Sequence, residues 1–92
     1  MRLNEKCMKD ILQYFVKNIH ITYRGYVYTS CSVLDVAKNF PQYDEKEVLY
    51  SIVKLIELKY ITINSTDVLW NENTKVCDVT YYGHKYLYDF QQ

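Results

Sequence analysis

Glycine and proline are scarce in this chain, with two Gly and one Pro among 92 residues. That scarcity excludes collagen-like and low-complexity structure and argues against a turn-dense all-β fold. An excess of charge of either sign is missing too: eleven Lys and Arg balance eleven Asp and Glu, for a formal net charge of zero. A strongly electrostatic nucleic-acid clamp would normally be basic, so the balance argues against one. No uncharged run approaches the roughly 20 residues needed to span a bilayer. Glu5, Lys6, Lys9 and Asp10 interrupt any apolar stretch that would act as a signal peptide. The three cysteines, Cys7, Cys31 and Cys77, are odd in number, and their spacing matches neither a metal site nor a CxxC redox pair. Buried, unreactive thiols in a reduced, cytoplasmic protein are the expectation. His20 and His84 are lone histidines, and there is no Gly-rich phosphate loop and no HExxH. No catalytic residue, metal or small-molecule cofactor is therefore expected, and no membrane partner.

Hydrophobic residues make up 49% of the chain, enough for a packed core in a single domain spanning residues 1–92. Asn4 is a good N-cap for a first helix over about residues 5–18, whose Cys7, Met8, Ile11, Leu12, Phe15, Val16 and Ile19 share one side. A short strand fits residues 26–29, where β-branched and aromatic residues rise around Arg24-Gly25. Ser30 or Ser32 caps a second helix ending near Asn39, and Pro41 breaks it. Asp44 and Glu47 form a capping-box-like pair at the start of a third helix that runs to about Leu58. Val48, Leu49, Ile52, Val53, Leu55, Ile56 and Leu58 cover more than half of that helix, leaving a narrow polar stripe of Lys46, Glu47, Tyr50, Lys54 and Glu57 with Ser51 at its edge. Residues 60–64 alternate and pair with residues 75–79 as a hairpin, after which Thr80 caps a terminal helix with Gly83, Leu87 and Phe90 inward. The fold class is α+β and mainly helical, in the order helix, strand, helix, helix, β-hairpin, helix. That order describes a winged helix-turn-helix, with the hairpin as the wing.

Three blocks carry a family resemblance. They are Arg2-Leu3-Asn4 with Cys7 and Asp10-Ile11-Leu12; Pro41, Tyr43, Glu45, Glu47 and Tyr50; and Val79-Thr80-Tyr81-Tyr82-Gly83-His84 with Tyr86-Leu87. Together they resemble a family of small, mostly uncharacterised proteins of phages, prophages and other mobile elements, the domain of unknown function twenty-five thirteen. The resemblance implies a winged-helix fold and brings no catalytic residue. The chain departs from the family pattern at Lys59, where the third helix often ends in Gly, and over residues 26–33, which carry extra residues.

Two kinds of partner follow. In a DNA-reading winged helix the third helix enters the major groove of duplex DNA, which nominates Lys46, Tyr50, Ser51 and Lys54, with Lys6 and Lys9 on the basic side of the first helix. Charge is polarised along the chain: residues 1–25 carry five positive and two negative side chains, whereas residues 60–79 carry one positive and three negative. Asp67, Glu72 and Asp78 make the wing acidic, which counts against ordinary phosphate contact there. The alternative is a protein-interaction module, such as a phage-encoded inhibitor or adaptor of a host protein. Trp70 would be its anchor in the wing, and Tyr82 and Tyr86 its contact surface on the last helix, which also suits a homodimer.

Overall fold

A computed structural model of the chain describes residues 2–29, 31–64 and 74–90; the side chain of Phe90 is not among them. Among the described residues it is a small α+β fold of four helices, one 3-10 turn and two antiparallel hairpins.

Helix α1 (Glu5–Lys17) begins where expected, because the Asn4 side chain accepts the Cys7 backbone N–H at 3.0 Å. It stops one residue early. Asn18 folds its amide back onto the Tyr14 carbonyl at 2.7 Å, and Ile19 leaves the helix to enter strand β1 (Ile19–Ile21). Strand β2 (Val27–Thr29) then returns beside it, pairing Ile19 with Thr29, His20 with Tyr28 and Ile21 with Val27. The single short strand expected here is thus the second arm of a hairpin. Its turn is fixed by the Thr22 N–H on the Tyr26 carbonyl, the Gly25 N–H on the Thr22 carbonyl (both 2.9 Å), and Gly25 at φ +86°. Only glycine adopts that angle without steric cost.

The next segment leads into α2 (Val33–Val36), which continues as the 3-10 turn Ala37–Asn39. The expected second helix is therefore one α-turn plus one tighter turn. Ser32 precedes it without a side-chain capping bond, and Phe40-Pro41 ends it. Helix α3 (Glu45–Glu57) starts at Asp44, whose carboxylate accepts the Lys46 N–H at 3.2 Å. Glu47 does not reach back to complete a capping box. Its carboxylate accepts instead from the Asn4 side-chain amide, tying the starts of α1 and α3 together.

The end of α3 is built on Lys59. Its φ of +61° is in the left-handed region, and the Tyr60 N–H reaches the Leu55 carbonyl at 2.9 Å while the Lys59 N–H reaches Ile56 at 3.0 Å. This is a Schellman termination, in which glycine is the usual residue; here lysine occupies the position. Strands β3 (Ile61–Ile63) and β4 (Val76–Val79) form the second hairpin, with Ile61 opposite Val79, Thr62 opposite Asp78 and Ile63 opposite Val76. The register shift leaves Cys77 as the extra residue of a bulge. On the other side of β4, Ser32 bridges Lys75, the Val33 N–H reaches the Thr74 carbonyl at 2.9 Å, and the Val76 N–H reaches Cys31 at 3.0 Å. Thr29 adds a hydroxyl bond to the Val76 carbonyl, so β2 lies alongside β4 and the two hairpins adjoin.

Helix α4 (Tyr81–Phe90) is capped by Thr80, whose hydroxyl accepts the Gly83 N–H at 3.2 Å and donates to the Lys59 carbonyl. The Thr80 N–H also reaches the Tyr60 carbonyl at 2.9 Å. Gly83 is obligatory for a steric reason, because a Cβ there would sit 2.3 Å from the Tyr60 carbonyl oxygen and 2.8 Å from Val79 Cγ1.

The core gathers Cys7, Met8, Ile11, Leu12 and Phe15 of α1, Val33 and Val36 of α2, and Phe40. Val48, Ile52 and Leu55 of α3 join them, with Ile61, Val76, Val79 and Leu87. The apolar face of α3 is wider than its buried one. Val53 and Leu58 stand exposed, and Leu49 and Ile56 are half-buried. A phenol–carboxylate bond, Tyr43 Oη to Asp10 Oδ2 at 2.6 Å, clamps the turn before α3 onto α1. Ionising the phenol would break that bond and set a phenolate against the Asp10 carboxylate in a partly buried place, so the Tyr43 phenol is pushed up to about 12.

Candidate nucleic-acid interface

On the outward side of α3 the i, i+4 spacing of Lys46, Tyr50 and Lys54 puts them in one row. Lys46 is exposed and Tyr50 and Lys54 are half-buried. The Lys54 ammonium lies 3.0 Å from the Glu57 carboxylate and 5.2 Å from the centre of the Tyr50 ring. Its pKa is raised, first by the hydrogen bond to Glu57, then by that carboxylate's charge and by Tyr50. Solvent screens a pair of this kind, so it contributes little and a phosphate can replace Glu57.

Ser51 does not join this row. It is fully buried on the flank of α3 facing α1, where its hydroxyl donates to the Glu47 carbonyl at 2.9 Å and adjoins the Cys7 thiol. Ser51 is therefore not one of the groove-facing residues that the sequence nominated. A serine bonded to its own helix is satisfied without solvent, so it is buried at little cost. Lys6 and Lys9 stay on α1, Lys6 exposed and Lys9 half-buried. At the start of α3 the charge is of the opposite sign. Arg2, Leu3, Asn4, Glu5, Asp44 and Glu47 line an open hollow of about 380 Å³.

Tyr82 and Tyr86 come together on α4. With Tyr60, Lys85 and Asp89 they line an open groove of about 360 Å³. Tyr86 stacks on Tyr60 with ring centres 5.0 Å apart, and its phenol is raised mainly by burial and then by the charge of Glu5. Tyr81, Tyr82 and Tyr88 are exposed. Trp70 lies outside the described residues, as do Asp67 and Glu72. Asp78, the remaining acid of that segment, is half-buried and accepts the Val79 N–H at 2.8 Å.

Among the described residues no three His, Cys, Asp or Glu side chains converge as metal ligands, and no helix is long and apolar enough to cross a membrane. The sequence expectations gave no role to Tyr23, Tyr26 and Tyr28, which project from the β1–β2 hairpin on either side of Arg24-Gly25. The readable signal was the tyrosine spacing around a turn dipeptide. Comparison with protein-family models, curated proteins and solved structures finds no match to this chain.

Proposed function

We propose that this chain is a small winged-helix protein of the phage and prophage type that binds duplex DNA and acts as a regulator without chemistry of its own. The observation that carries this proposal is the pairing of residues 31–33 with residues 74–76, on the open side of the β3–β4 hairpin. It supports the winged-helix connectivity, in which a strand between the first two helices joins the wing sheet while the third helix stays free on its outer side. Lys46, Tyr50 and Lys54 supply that outer side, and exposed Lys75 stands at the base of the wing. Three phosphate contacts make the affinity fall with salt at a log–log slope of about −3. Titrating labelled duplexes across a salt series tests this. Lys54→Glu and Tyr50→Ala are expected to weaken binding about tenfold or more. The proposal fails if micromolar protein retards no duplex at low salt.

A second function is favoured by a different observation. The exposed Tyr81, Tyr82 and Tyr88 and the groove beside Tyr86 suit a protein partner or a second copy of the chain. Light scattering with and without duplex DNA separates the two, since a Tyr82→Ala variant then alters the assembly and leaves DNA affinity unchanged.

A further inference from the structure

The β1–β2 hairpin is held along β4 at its Thr29 end, and its tip carries exposed rings and no acids. Tyr23 is fully exposed, and Ile21, Tyr26 and Tyr28 are 72%, 69% and 48% exposed. The tip is built rather than loose. The Thr22 side chain accepts the Tyr26 N–H at 3.1 Å, in addition to the two backbone bonds across the turn. On one face His20 stacks against Tyr28, ring centres 5.1 Å apart and 30° between planes, and both residues are exposed, so a further ring can add to the stack.

The charge around the ribbon is one-sided. No Asp or Glu occurs between Ile11 and Leu34, a stretch that contains Lys17 and Arg24. Neither cation makes an ion pair among the described residues. Lys17 is exposed in the last turn of α1, two residues before β1. The nearest packed element on the β2 side is β4, whose carboxylate Asp78 is held by the Val79 N–H.

We propose that this hairpin is a binding site for single-stranded nucleic acid. Tyr23, Tyr26 and the His20–Tyr28 pair stack on unpaired bases, and Arg24 and Lys17 hold the phosphates between them. Interleaved rings and cations are what an unpaired strand requires, since every base offers a π-face and every linkage a negative charge. A three-residue strand is about 10 Å long, so the ribbon accommodates two or three nucleotides. A second copy of the chain fits less well, because a two-fold axis through the tip sets Arg24 against Arg24. The site is separate from the α3 row proposed for duplex DNA and makes a different prediction.

The test is fluorescence anisotropy with a labelled oligothymidylate of about twelve nucleotides and a duplex of equal length, at low salt. Arg24→Glu and the double variant Tyr23→Ala/Tyr26→Ala are each expected to lower single-strand affinity about tenfold or more and to leave duplex affinity unchanged. Lys54→Glu is expected to do the reverse. All substitutions are on the surface, and unchanged thermal melting shows that the fold is retained. The proposal is overturned if the wild-type protein fails to bind the oligothymidylate at roughly 100 µM, or if the hairpin variants bind it as the wild type does. It is also overturned if these variants change the protein's mass by light scattering without changing strand affinity, which makes a second copy the occupant.

Discussion

Replacing Lys59 with glycine is expected to make the protein more stable, although the substitution removes a side chain and a charge. Lys59 holds φ at +61° to close the Schellman turn at the end of α3. For a residue with a Cβ that conformation costs roughly 1–2 kcal/mol. Glycine adopts it without that cost but forfeits about 0.4–1 kcal/mol through the greater freedom of the unfolded chain. The middle of these ranges leaves a gain of about 0.5–1 kcal/mol. Nothing else changes: the Lys59 side chain is exposed, and the turn's hydrogen bonds and the acceptor for Thr80 are backbone groups. For a domain of this size the gain corresponds to a rise in Tm of about 2–8 °C. Lys59→Ala is the control, because it removes the charge and the alkyl chain while keeping the Cβ. Thermal melts followed by circular dichroism should place Lys59→Gly above both the wild type and Lys59→Ala. If glycine melts at or below alanine, the left-handed turn carries no strain and the account of this helix end is wrong.

Gly83→Ala should act in the opposite direction, costing about 1–3 kcal/mol or more, since the new methyl meets the Tyr60 backbone rather than a yielding side chain; urea unfolding measures it. Tyr43→Phe should cost about 1 kcal/mol through loss of the bond to Asp10. The pH dependence has a definite sign. Because the folded-state phenol is raised to about 12, its contribution is complete below the ordinary tyrosine value near 10 and is lost as pH climbs from there through 12. The wild type should therefore lose more stability over that interval than Tyr43→Phe, as urea midpoints at a series of alkaline pH values will show. Thiol titration should find Cys77 reacting first in the native protein. Cys7 and Cys31 are buried, and burial pushes both thiols up, so they should react at the wild-type unfolding rate or when denaturant is added.

Helices α1 and α3 were legible because their apolar periodicity is long and their caps are local: Asn4 and Asp44 act within three residues of themselves. The end of the chain was legible for the same reason, with Thr80 and Gly83 one turn apart. Strand β1 was hidden because Ile19 continues the hydrophobic pattern of the helix before it, and three residues are too few to establish an alternation of their own. The partner of Glu47 was hidden by distance along the chain. Within the helix Glu47 suits a capping box, but Asn4 arrives from α1 and takes the carboxylate. Ser51 was misplaced because a polar residue at the border of a stripe can turn either way, and its own helix satisfies its hydroxyl. The row Lys46, Tyr50 and Lys54 needed only helical spacing. The stacked pair of His20 and Tyr28 needed the pairing of β1 with β2, which no single segment encodes.

The joint between the end of α3 and the start of α4 has a consequence for how this protein can diversify. Lys59 and Tyr60 are bolted to Thr80 from both carbonyls, and farther along the hairpin Asn64 and Lys75 exchange backbone and side-chain bonds. The chain therefore leaves at Asn64 and returns at Lys75 through a closed neck. Doubling the length of such a loop costs only about 0.6 kcal/mol in closure entropy. Foreign peptides grafted between Asn64 and Thr74 should consequently be tolerated without melting the scaffold, since the pairing that fixes the framework lies on either side of the insertion.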